Sequence, residues 1–77
     1  MSGLRKRSVT LAGHATSLAL EPEFWAVLES LAAKRGQSLS ALIADLDKTR
    51  QGKPLASSCR VASLIFAQGG DPFSPRA

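Results

Sequence analysis

The sequence predicts a mainly α chain with one short β-strand ahead of its helices and a third helix toward the C-terminal end. Three observations carry that reading. Residues 15–20, ATSLAL, alternate between small or polar and core-seeking positions, the period of a half-buried strand. Glu21 and Pro22 break this rhythm, and apolar residues then recur at helical spacing in two successive segments. A last run, LASSCRVASLIFA, puts Leu55, Cys59, Ala62 and Phe66 on one helical face.

Taken in order, residues 1–7 are expected to form a flexible basic arm. Residues 8–11 are a short extended candidate with Val9 and Leu11 on one side. Gly13 and His14 interrupt its phase and predict a bend or bulge. In 15–20, Thr16, Leu18 and Leu20 point to a core, while Ala15, Ser17 and Ala19 make a face suited to water or a flat partner. Pro22 fits the first position of a helix, where a missing N–H costs nothing, and Glu21 and Glu23 suit its positive end. Phe24, Val27, Leu28 and Leu31 then form one buried stripe. Lys34 and Arg35 suit the negative end and Gly36 the left-handed cap, so the helix covers 22–35.

Ser38 is the N-cap of a second helix that starts at Leu39. Its stripe is Leu39, Leu42, Ile43 and Leu46, with Asp45, Asp47, Lys48 and Arg50 on the wet side. Gly52 and Pro54 end it. The link between these helices is so short that they must pack as neighbours. The third helix spans 55–67, its face widened by Val61, Leu64 and Ile65, and its β-branched content leaves a strand as the alternative. The remainder, GGDPFSPRA, has no periodicity and reads as a disordered tail, 68–77. The folded domain is therefore 8–67.

With 77 residues, the chain holds one domain that is marginal on its own core. That favours association of copies. Ten Lys and Arg against six Asp and Glu leave a net charge of +4. Placement says more than the sum: Arg5, Lys6 and Arg7 precede every acid, the first being Glu21. A cationic stretch of this kind suits a polyanion such as nucleic acid. The single cysteine, Cys59, allows no internal disulfide and no zinc site, and reads as a small buried apolar residue in a reducing, cytoplasmic setting. His14, serines and threonines interrupt the apolar stretch before Glu21, which argues against a signal peptide, and no run is long enough to span a membrane. Phosphate-loop, dinucleotide and zinc-protease motifs are missing. No catalytic residue, metal, cofactor or small-molecule substrate is expected.

A lone strand needs a hydrogen-bonding partner. Residues 8–11 can fold back on it through AGHA, which lacks the Asn-Gly or Asp-Gly signal of a tight hairpin. Alternatively, 15–20 pairs antiparallel with the same segment of a second copy, and two-fold symmetry satisfies both strands. The two arrangements are compatible.

The order strand, Glu-Pro, amphipathic helix, Gly, Ser-capped second helix resembles the ribbon-helix-helix DNA-binding family, especially its short bacterial branch. The likeness runs over about residues 8–50 and is closest in TSLALEPEFWAVLESLAAKRGQSLSALIADL, with RSVTLAGHATS before it. The resemblance implies an intertwined homodimer whose two-stranded antiparallel ribbon enters the major groove of double-stranded DNA as a transcriptional regulator. It assigns base contact to Ala15, Ser17 and Ala19, and a phosphate to the second helix N-terminus at Ser38, Leu39 and Ser40. Arg5, Lys6, Arg7 and His14 would add contacts to the DNA backbone. Family members often carry Arg, Lys, Asn, Gln or Thr on the ribbon. Two alanines around one serine imply weak direct readout, because a bidentate side chain contributes about 1–3 kcal/mol per base. The alternative is a dimerisation and protein-interaction module of the same fold that does not read DNA.

Overall fold

A computed structural model describes residues 3–74 and arranges them as two strands followed by three helices. Strands β1 (Arg5–Leu11) and β2 (His14–Leu20) form an antiparallel hairpin. Helices α1 (Pro22–Lys34), α2 (Leu39–Thr49) and α3 (Leu55–Ala67) pack beneath it. None of the helices is long and apolar enough to cross a membrane.

The hairpin corrects two expectations and settles a third. The chain has two strands rather than one, and of the two compatible pairings the closure within a single chain is present. Arg5, Lys6 and Arg7 are not a flexible arm but the first half of β1, paired with Leu20, Ala19 and Leu18. Of the bend or bulge expected at Gly13, the structure shows the bend, as a tight turn. Its central residues, Ala12 and Gly13, have φ of 51° and 82°. Positive φ at both is what a two-residue type I′ turn needs to match strand twist. Glycine takes that conformation freely, whereas alanine there carries a steric cost of roughly 1–2 kcal/mol. Replacing Ala12 by Asn, which tolerates the left-handed region, is therefore expected to stabilise the domain by about 1 kcal/mol. Urea denaturation checks this through a raised midpoint at unchanged slope.

Alternation along the paired strands sorts their side chains onto two faces. Val9, Leu18 and Leu20 are buried on the inner face. Near the turn the same face carries Leu11, half-buried, and the exposed Thr16 and His14, so the hairpin tip extends past the helices. At the other end, β1 is fastened to α1. The Trp25 indole N–H donates to the Arg5 carbonyl at 2.9 Å. The Arg7 guanidinium lies 4.8 Å over the Trp25 ring and pairs with Glu29 at 3.1 Å. These contacts explain why three consecutive cations are held in a strand.

The core joins the inner hairpin face to Trp25, Leu28, Leu31 and Ala32 of α1, Leu42, Ile43 and Leu46 of α2, and Cys59 and Ala62 of α3. On α1 the buried stripe is rotated from the expected one. Trp25 is 2 % exposed, whereas Phe24 and Val27 are not fully buried. Trp25 and Glu29 on one side of α1 reach β1, and another side meets α3, so the apolar face is broader than one stripe. The α2 stripe is as predicted, with Leu39 half-buried at its start. On α3, Val61 and Leu64 point outward, at 53 % and 55 % exposure. Ser63 takes a core position instead, its hydroxyl donating to the Cys59 carbonyl at 2.8 Å, so its polar atom is not stranded by burial.

Gly36, at φ 68°, ends α1 as expected. The Gly36 and Gln37 N–H groups donate to the Ala33 and Ala32 carbonyls, the double bond of a Schellman cap. The expected disordered tail needs correction through residue 74. The Gly70 N–H donates to the Ile65 carbonyl at 2.9 Å, turning the chain back along the helices. Phe73 then packs on the core, with the Arg35 guanidinium 4.1 Å over its ring. The last three residues of that tail, and the first two of the predicted arm, lie outside the described residues.

Candidate nucleic-acid interface

The outer face of the hairpin is built from six alternating positions. Lys6 stands opposite Ala19, Ser8 opposite Ser17, and Thr10 opposite Ala15. All are exposed except Ala19, which is half-buried. Ala15, Ser17 and Ala19 thus fall on one face, as the alternation predicts. Ser8 and Thr10 join them, and sequence reasoning missed both. The signal was available: the alternation of 8–11 continues back through Arg5 once the Ala-Gly turn is granted. Neither strand contains an acidic residue, so this face has a uniformly neutral-to-positive composition.

The cations of the former arm separate. Lys6 projects outward with the serines, while Arg5 and Arg7 belong to the inner side of the pleat. Arg7 is engaged with Glu29 and Trp25, and His14 lies beyond the turn on the face opposite Ser17. The structure therefore does not gather Arg5, Lys6, Arg7 and His14 into one patch. Trp25, buried beneath Arg7, is not available to stack on a base.

Both outer edges of the hairpin are open. Among the described residues, no backbone–backbone hydrogen bond joins β1 or β2 to any other element. In a hairpin with a two-residue turn, the pair flanking the turn exchanges both hydrogen bonds, and alternate pairs repeat this. Leu11–His14, Val9–Thr16, Arg7–Leu18 and Arg5–Leu20 fill that role here. The N–H and C=O groups of Ala15, Ser17 and Ala19 then point out along the β2 edge. Those of Lys6, Ser8 and Thr10 point out along the β1 edge.

The α2 N-terminus supplies a second feature. Ser38 is its N-cap, and the Ser38 hydroxyl accepts from the Ala41 N–H at 3.1 Å. Leu39 and Ser40 begin the helix, where N–H groups lack an intrahelical acceptor. No acidic residue sits in this first turn. The hydroxyl of Ser38 is thus partly committed to the cap, leaving backbone N–H groups and Ser40 to meet an anion.

Other polar groups are structural. Arg60 bridges α3 to Glu21, its Nε donating at 3.0 Å, and so is not a free cation for phosphate. The Glu21 carboxyl is held below its usual range, first by a backbone hydrogen bond and then by Arg60. Burial pushes the Cys59 thiol up to about 11, with Arg60 offsetting part of this. A thiol reagent at neutral pH should therefore label Cys59 only as fast as the domain opens, and labelling should accelerate sharply across the urea transition. Among the described residues no three His, Cys, Asp or Glu side chains are grouped to hold a metal ion.

The sequence matches the family described as ribbon-helix-helix domain over residues 4–66. No curated protein matches the chain. Among solved structures, it is similar to one described as an uncharacterized protein from Bordetella pertussis Tohama I. That likeness has a TM-score of 0.76 at 35% identity and covers 96% of this chain and 69% of the other.

Proposed function

The chain belongs to the ribbon-helix-helix family, and from that premise we propose that it is a homodimeric DNA-binding regulator. The observation that carries this reading is the hairpin's outer face: exposed at every position but Ala19, free of acids and bordered by open strand edges. A major groove about 12 Å wide admits two adjacent strands, whose axes are about 5 Å apart.

Two copies join through β2. An open edge is a template for pairing, and charged side chains, lysine above all, block it. The β1 edge carries Arg5, Lys6 and Arg7, and a charged edge of this kind discourages a further strand from pairing. The β2 edge offers Ala15, Ser17 and Ala19, small and uncharged. Pairing β2 with its twin gives the order β1–β2–β2′–β1′, with Ser17 near the two-fold axis.

In this arrangement Ser17 meets base edges, and Ala15 and Ala19 let the backbone approach closely and touch thymine methyl groups. The α2 N-terminus, at Ser38, Leu39 and Ser40, holds a phosphate through its N–H groups and positive dipole end. Such a protein binds DNA with modest sequence preference and strong salt dependence.

The test is a fluorescence titration with mixed genomic DNA, paired with molar mass in solution. A dimer that binds at low salt and weakens steeply as salt rises supports the reading. A confirmed dimer that fails to bind at low salt favours the interaction module. The exposed Val61 and Leu64 of α3 would then be its contact surface.

A further inference from the structure

Resting on that DNA-binding reading, we infer that the outer face of β1 is a phosphate-contacting rail, with Lys6 as its charged contact and Ser8 and Thr10 as hydroxyl donors. Width separates the two pairs of strands. Neighbouring strands lie about 4.8 Å apart, so the outermost axes of a four-stranded sheet are about 14 Å apart. The major groove is about 12 Å wide. The two β2 strands fit the groove floor; the two β1 strands do not, and lie over its rims, where the phosphates are.

Side-chain size agrees with that division. At each outward pair the side chain on β1 matches or exceeds its β2 partner: Lys6 against Ala19, Thr10 against Ala15, Ser8 against Ser17. The long cation and two hydroxyls flank a floor of small residues. A lysine and hydroxyls at a rim recognise the phosphodiester chain common to all sequences. Arg5 and Arg7, although close to Lys6 in sequence, occupy the inner side, and Arg7 is already paired with Glu29. Of the three consecutive cations, only Lys6 is placed to contact DNA.

The experiment measures binding of the full chain to duplex DNA against salt for wild type, Lys6→Ala, Ser8→Ala/Thr10→Ala and Arg7→Ala. Each phosphate contact contributes about 0.9 to the slope of log affinity against log salt. Lys6→Ala removes one contact per subunit, so the slope of the dimer should fall by about 2, with affinity lost equally for every sequence. The double hydroxyl variant should weaken binding without a change in sequence preference. Arg7→Ala should lower thermal stability while leaving the slope unchanged. Circular dichroism verifies that Lys6→Ala, an exposed change, keeps the fold.

If wild type binds and Lys6→Ala leaves the slope intact, the rail is wrong while DNA binding stands. A changed base preference in Lys6→Ala also overturns it, because that residue would then be reading the groove floor. If wild type itself fails to bind at low salt, the DNA-binding reading falls and the rail falls with it.

Discussion

Ser17→Pro is expected to leave the hairpin folded and convert the dimer to a monomer. The Ser17 N–H lies on the outward side of β2, by the alternation that starts at the turn-flanking Leu11–His14 pair. Proline therefore removes no hydrogen bond within the chain, which is the condition under which a strand tolerates it. At the β2–β2′ seam the same change removes a donor from each copy and puts two rings near the symmetry axis. Losing one half of a bivalent contact lowers DNA affinity by about 10²–10⁴-fold. Ser8→Pro is the matched control, since its N–H faces outward on the β1 edge. That variant should remain a dimer. Sedimentation or light scattering reads the mass, and circular dichroism verifies the fold. A dimeric Ser17→Pro alongside a monomeric Ser8→Pro would place the seam on β1. Dimers in both variants would mean that copies associate elsewhere, and the ribbon reading of the interface would fail.

The helices were legible in the sequence because their punctuation is local. Pro22 at the start of α1, Gly36 at its end and Ser38 before α2 each fix a backbone conformation within a few residues. The hairpin was harder because its decisive signals are weak or distant. Ala12 is a poor residue for φ 51°, so the turn lacks a compositional mark. Arg5, Lys6 and Arg7 look like a solvated arm until Trp25 and Glu29 come near, and their contacts to Arg5 and Arg7 span 20 and 22 residues of sequence. The outer face was half legible. Ala15, Ser17 and Ala19 follow from alternation alone, but Ser8 and Thr10 need the register of the pair. On α3, periodicity placed Cys59 and Ala62 correctly but could not choose between Val61 or Leu64 and Ser63 for the buried side. A serine that donates to the carbonyl four residues before it satisfies its own hydroxyl and passes as a core residue. The ordered tail was missed for a similar reason: Phe73 is one aromatic in a stretch rich in Gly and Pro, and its contact with Arg35 is tertiary.

Trp25→Ala should destabilise the domain more than any other single change on the hairpin–helix seam. Loss of a buried large aromatic costs about 3–5 kcal/mol. A chain of this length has a total stability of only about 4–12 kcal/mol at ~0.05–0.15 kcal/mol per residue. At about 4–8 °C per kcal/mol for a domain of this size, the thermal midpoint is therefore expected to fall by more than about 10 °C. Three losses coincide at this position: the buried ring, its N–H bond to the Arg5 carbonyl and the surface under Arg7. Trp25→Phe separates them, keeping most of the ring while removing the hydrogen bond, and should cost about 1 kcal/mol beyond the lost volume. The failure should be global. Val9, Leu18 and Leu20 share one core with Leu28, Leu42 and Ile43, so β1 cannot peel away without opening the face on which the helices meet. Helical circular dichroism and amide exchange in β1 should consequently report the same opening free energy in each variant. If β1 exchanges freely while the helices keep wild-type stability, the strand is an independent flap. In that case Trp25 acts as its latch, and the outer face it carries would be mobile in the absence of DNA.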